Sequence, residues 1–256
     1  MDRLAFTAMA SINERRLLRE QMNNELANVS TVGFKKSYDN AMVAVKAKGE
    51  GWDTRIQPFI EKMNAVSLEQ GSLMATLNPL DIALKDKTVM GVQAKDGTLA
   101  FTRRGDLKIG STGLLENGSG HPVLSEDGGP ITIPAGSILT ITEEGDVYAR
   151  TPVQPLLDPS VLVGRIMMRD ASAITMQRRP DTLFAPYPQF ATANGDFQSG
   201  PIPTRLVPGA LETSNVNVVT AMVKLIDFSR SFETQVRTIK EAKALDESGA
   251  SMLRAR

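Results

Sequence analysis

The side chains of this chain best placed for acid–base work are the three carboxylates of Glu143-Glu144-Gly145-Asp146. Glycoside hydrolysis needs two carboxylates held several ångströms apart across a sugar, one to protonate and one to attack or to activate water. Acids adjacent in sequence beside a glycine more often solvate the tip of a turn, so a peptidoglycan-cutting enzyme using the Glu143 region is the weaker reading. His121, in NGSGHPVL, is the one histidine, and there is no cysteine. That removes thiolate nucleophiles, thiolate metal sites, HExxH zinc sites and any Ser-His-Asp set that does not use His121. GxSxG, the Walker phosphate loop and GxGxxG are also absent. No catalytic, cofactor-binding or metal-ligating residue is therefore expected, and no cofactor.

Composition points the same way. Lys plus Arg and Asp plus Glu stand at 29 each, which leaves no electrostatic footprint for nucleic acid or an anionic membrane. Hydrophobic residues make up 41% and aromatics 5% of the 256 residues, a lean supply for one deep core, so an elongated molecule is expected. The start MDRLAFTAMASINERR contains a small-x-small triplet at Ala8-Met9-Ala10, but Leu4 to Thr7 is too short for the roughly 7–15 apolar residues of a signal peptide. No stretch approaches the ~18 apolar residues of a membrane span. Direct membrane insertion is not expected, and export, if it occurs, should not use a cleaved signal.

The informative elements lie at the two ends. Leu4, Ala8, Ile12, Leu18, Met22, Leu26 and Val29 recur at helical spacing, with Arg15 in the one missing step. This predicts an amphipathic helix roughly 40 Å long at ~1.5 Å per residue. Ala5, Phe6, Met9 and Leu17 lie off that stripe, so more than one neighbour is needed to cover it. Near the other end Val218, Met222, Leu225, Ser229, Phe232, Val236, Ile239, Ala242, Leu245, Gly249 and Met252 alternate steps of three and four, behind the helix-start candidates Ser214, Asn215 and Asn217. Isolated helices are marginal in water, and two apolar ends therefore suggest packing on each other and on neighbouring subunits.

Between them the texture is that of short strands broken by Asp-Gly, Asn-Gly and Glu-Gly turns, in which glycine takes the positive φ of a tight hairpin. Eight to ten short strands are expected. The fold class is α+β and discontinuous: long N- and C-terminal helices forming a coiled-coil-like root, with an inserted all-β domain of short antiparallel strands. The expected boundaries are residues 1–35 for the first helix and its elbow, 36–78 for an extended linker, 79–185 for the β domain, 186–213 for a proline-bearing return linker and 214–256 for the second helix. Within the elbow, Asn28, Ser30 and Thr31 can satisfy groups left open at the helix end, Gly33 permits a left-handed turn, and Phe34 starts the path outward.

At these residues the chain resembles a known family. NNELANVSTVGFKKS is similar to the Asn-Leu-Ala-Asn-x-x-Thr-x-Gly-Phe-Lys motif of bacterial flagellar rod and hook proteins. GALETSNVNVVTAMVKLIDFSRSFETQ resembles their C-terminal signature, and LNPLDIAL, AFTRRGDLKI and GHPVL resemble pieces of their central β domain. Glu25 stands where the family usually has Asn, and Lys85 to Met90 replaces a typical Gly-x-Gly-Phe-Phe. The resemblance implies a structural, non-catalytic subunit of the proximal rod, with a distal-rod or hook-type subunit as the alternative. It also implies passage through the flagellar export apparatus, a place in the periplasmic rod of the basal body, and contacts with copies of itself and with neighbouring rod proteins. The implied subunit interface comprises Leu4, Ala8, Ile12, Leu18, Met22, Leu26, Asn28, Val29, Gly33, Phe34, Asn215, Val216, Asn217, Met222, Leu225, Phe232, Val236 and Ile239.

Overall fold

A computed structural model describes residues 2–38, 42–46, 48–49, 52–53, 57–60, 64–150 and 160–254. For residues 2–8, 42–45, 48–49, 52–53, 57–60 and 253–254 only the backbone element is described, so the side chains of Leu4 and Ala8 lie outside it. The chain divides into two units, one of residues 1–27, 39–63 and 217–256, the other of residues 28–38 and 64–216. The class is α+β, with two helices and antiparallel strand pairs.

The first unit holds helix α1, Asp2–Ala27, and helix α2, Val218–Arg254. Between them in sequence, strand Met42–Val45 pairs with Gln57–Ile60, and Lys48–Gly49 with Trp52–Asp53 inside that hairpin. The segment whose Gly-Glu-Gly texture suggests a linker thus contributes paired strands, and Gln57–Ile60 lies against α1. At the start of α2 the carboxamide of Asn217 accepts from the Thr220 amide at 3.0 Å, which makes Asn217 the N-cap residue. Asn215, an equal candidate on sequence, has another task.

In the second unit the main sheet runs in the order Met168–Asp170, Thr88–Gln93, Leu99–Thr102, Phe184–Pro186, Met176–Arg178, Ala65–Val66, antiparallel throughout. Strand residues alternate between its faces. Met90, Val92 and Ala100 point into one apolar cluster with Leu84, Leu115, Val123, Val147 and Leu206, and Val89 and Phe101 into a second with Val66, Met176, Phe184 and Phe197. Thr88–Gln93 is consequently buried on both sides and reads as a near-continuous apolar run. Ile138–Ile141, Asp146–Arg150 and Val161–Arg165 form a meander with a bulge at Val147/Tyr148. Late in the chain, Leu206–Pro208 pairs with Ile82–Leu84, and Ala210–Glu212 with Leu73–Ala75. The proline-bearing stretch therefore returns as two strands of this unit.

Candidate assembly surface and its elbow

Three charged side chains, from residues far apart in sequence, meet inside the second unit. Glu212 Oε1 accepts from Lys35 Nζ at 2.5 Å and from the Gly71 amide at 2.8 Å; its Oε2 accepts from Arg103 Nε at 2.8 Å. All three side chains are fully enclosed. A buried cation is tolerable only when its donors are answered, and Arg103 answers the rest through the carbonyls of Leu84, Asp86 and Thr88 at 2.6–2.7 Å. Lys35 also reaches the Glu69 carbonyl at 2.6 Å. The cluster still holds two cations against one carboxylate. Burial, then the neighbouring guanidinium, push the Lys35 ammonium down to about 8 against the pull of Glu212.

Asn215 staples the chain crossings around this cluster. Its Oδ1 accepts from the Lys36 amide at 2.7 Å, and its Nδ2 donates to the Ser67 and Glu69 carbonyls at 3.1 Å. Its own amide donates to Phe34 O, the Tyr38 amide to Ala65 O, and the Ser67 amide to Lys36 O. The residues through which the chain leaves this unit towards α1, the 42–60 hairpin and α2 are thereby tied to one another. Gly33 turns there at φ 67°, and a Cβ on it would lie 2.3 Å from the Arg103 carbonyl oxygen. Both the left-handed conformation and the close approach require glycine. Phe34 is buried under the Arg178 guanidinium, 4.4 Å from its ring centre.

In the first unit, α1 and α2 run antiparallel. Gln235 Nε2 donates to Ser11 Oγ at 3.1 Å, Arg15 Nη1 donates to Ser231 Oγ, and Arg19 lies 5.9 Å from the Phe228 ring centre. The numbers of each hydrogen-bonded pair add to 246, so Asp2 falls opposite residue 244 and the last ten residues of α2 run past the start of α1. Arg15 occupies the gap in the N-terminal stripe because its hydrogen-bond partner is a serine of the opposing helix.

The residues expected at the interface separate into three groups. Ile12, Leu18, Met22 and Leu26 on α1, and Leu225, Val236 and Ile239 on α2, are half-buried. Gly33 and Phe34 are buried within their own β unit, while Asn28, Val29, Asn215 and Val216 are half-buried around the elbow. Asn217, Met222 and Phe232 are exposed, Met222 by 50% and Phe232 by 42%. Sequence periodicity places Met222 on the stripe with Leu225, but α2 meets α1 through Phe228, Ser231 and Gln235, and Met222 is half exposed. A second apolar stripe, Val219, Met222, Val223 and Ile226, is 50–70% exposed and has the i, i+3, i+4, i+7 spacing of a helix-packing face.

The acidic tip behaves as a turn. Glu143 and Glu144 are exposed; Glu143 lies 3.7 Å from Lys85 and Asp146 3.5 Å from Arg165, with Gly145 at φ 88°. His121 is buried, its amide donating to the Asn117 side chain. Among the described residues no group of three or more His, Cys, Asp or Glu is placed to hold a metal ion, and no helix is long and apolar enough to cross a membrane. Glu25 accepts from Gln21 Nε2 at 3.3 Å, one turn earlier on α1. The stretch that departs from Gly-x-Gly-Phe-Phe turns through Asp86 at φ 49°, a conformation that Asp tolerates better than most residues. In the sequence the Lys35–Glu212–Arg103 cluster is marked by no more than a charge embedded among apolar neighbours, as in Ala-Leu-Glu.

Residues 207–252 match the family described as flagellar basal body rod FlgEFG protein C-terminal, and residues 87–149 the flagellar hook protein FlgE/F/G D1 domain. Along most of its length the chain is 36% identical, over 241 residues and 93% of each chain, to flagellar basal-body rod protein FlgF of Salmonella typhimurium. It is 33% identical over 239 residues, again 93% of each chain, to FlgF of Escherichia coli. To FlgG of Buchnera aphidicola subsp. Schizaphis graminum it is 29% identical over 241 residues, covering 85% of this chain and 87% of that one.

Proposed function

The chain belongs to the FlgF-type flagellar basal-body rod proteins, and from that premise we propose that it builds the proximal rod by stacking its terminal helices against those of neighbouring subunits. It is a structural subunit of the flagellar basal-body rod, which serves motility, and it associates with other rod components. In this proposal α1 and α2 form a coiled-coil-like root in a helical assembly in the periplasm. Its partners there are copies of itself and adjacent proximal and distal rod proteins. The subunit reaches that place through the flagellar export apparatus and carries torque, not chemistry.

The observation that supports this best is the second stripe of α2. Val219, Met222, Val223 and Ile226 lie on the side of the helix away from the buried or half-buried Ala221, Leu225 and Phe228, the last of which faces Arg19 of α1. Leu245 and Met252, 60% and 72% exposed, sit in the overhang that α1 does not reach. At ~25 cal/mol per Å² of apolar area, covering such a stripe is worth several kcal/mol per helix, enough to drive association of many copies. Close-packed helices are poorly compressible, which suits them to transmitting torque.

Phe232→Asp and Met222→Asp test the reading, because a carboxylate on a surface that must become apolar interior opposes assembly without touching the β core. Both variants are expected to leave the isolated subunit folded and to abolish swimming and rod completion. Wild-type swimming in both removes these residues from the assembly surface.

A further inference from the structure

Arg15 lies in the seam between α1 and α2, one turn before Arg19, and it is incompletely answered. Its Nη1 donates to Ser231 Oγ, and its Nε is buried with no partner among the described residues; one turn away, Gln235 Oε1 is likewise buried without a donor. The other arginines of this molecule show how the chain usually handles the group. Arg103, more deeply enclosed, has a carboxylate and three carbonyls, and Arg104 and Arg169 each face an aspartate at 2.7–3.3 Å. On α1 itself Arg16 has Glu20 at 3.4 Å, and Arg19 has the Phe228 ring. Among the described residues Arg15 has only a neutral hydroxyl, although it lies on the apolar stripe where an unmatched cation is most costly.

We propose that Arg15 is the anchor for a carboxylate supplied by a neighbouring rod subunit, whose terminal helix inserts an acidic side chain at the edge of the α1–α2 seam. Arg15 remains half-buried, not sealed. Charge complementarity is available within the assembly, since the outward face of α2 carries exposed Asp227, Glu233 and Glu241 at helical spacing. A charged pair of this kind contributes more to partner choice and register than to bulk affinity. The inference rests on the assembly reading above and adds to it the chemistry of one contact.

The test separates charge from hydrogen bonding. Arg15→Gln keeps a donor for Ser231 but no charge; Arg15→Lys keeps the charge. In the isolated chain both should show the helix content of the parent by circular dichroism. In cells, Arg15→Gln should lower the subunit recovered in purified basal bodies by roughly thirtyfold or more, the loss typical of deleting one member of an enclosed charge pair, while Arg15→Lys stays within about threefold of the parent. Normal incorporation of Arg15→Gln overturns the proposal and leaves rod assembly through α2 untouched. Loss of helix content in isolated Arg15→Gln overturns it as well, because Arg15 then serves its own chain.

Discussion

Replacing Glu212 by Gln will lower the stability of the β unit by about 3–5 kcal/mol, the usual cost of removing one partner from a buried ion cluster. Among the described residues this carboxylate is the only anion bonded to Lys35 and Arg103, and it also receives the Gly71 amide. Gln preserves size and one acceptor but turns an amide NH2 towards a cation. Lys35 can respond by giving up its proton, whereas Arg103 cannot deprotonate, so a buried charge remains. An apolar replacement of all three residues is no remedy here, because the carbonyls of Leu84, Asp86 and Thr88 would lose the guanidinium that serves them. Urea unfolding at pH 7, followed by a probe of the β unit, measures the effect, and a loss below about 1 kcal/mol contradicts the role assigned to Glu212.

The same cluster predicts an unusual pH dependence. The Lys35 ammonium is held at about 8 in the folded chain against 10.5 for the free side chain. Below about pH 8 both states carry the proton and the cost of the buried second cation is fully present. Between about pH 8 and 10.5 the unfolded chain keeps the proton while the folded chain has lost it, so stability rises with pH across that window, by about 3 kcal/mol in all. Lys35→Met should be within about 1 kcal/mol of the parent at pH 7, since it leaves one carboxylate facing one guanidinium, and it should lack this rise. Parallel slopes for parent and variant from pH 8 to 10.5 would remove Lys35 from the account.

Much of this architecture is legible in the residues, for identifiable reasons. The helices follow from three-and-four spacing, the hairpins from Asp96-Gly97 and Glu144-Gly145, and the elbow from Gly33, whose positive φ and backbone contact leave no room for a side chain. Pairing of two- and three-residue strands is not legible. Ala65–Val66, Leu73–Ala75 and Ala210–Glu212 are too short to show a period, and their partners lie up to 139 residues away. Asn215 looked like a helix cap because Asn commonly is one, yet its carboxamide is spent on Lys36, Ser67 and Glu69, and Asn217 takes the cap. The stripe of α2 was blurred because its first turns are apolar on two sides. Periodicity counts apolar residues without saying which side faces the partner in the same chain and which is left for another.

The second stripe of α2 is solvent-exposed in the single subunit, and assembly through it requires that the rod enclose it. The chain has no cysteine, so a single introduced thiol reports its own surroundings. Met222→Cys and Ile226→Cys should react rapidly with a membrane-impermeant maleimide in the isolated subunit and at least about tenfold more slowly in purified, intact basal bodies. Ser111→Cys, in an exposed turn of the β unit, reports reagent access in both preparations. Slow labelling at 222 and 226 beside rapid labelling at 111 is the predicted result; rapid labelling of Met222→Cys and Ile226→Cys within intact rods would contradict assembly through this face.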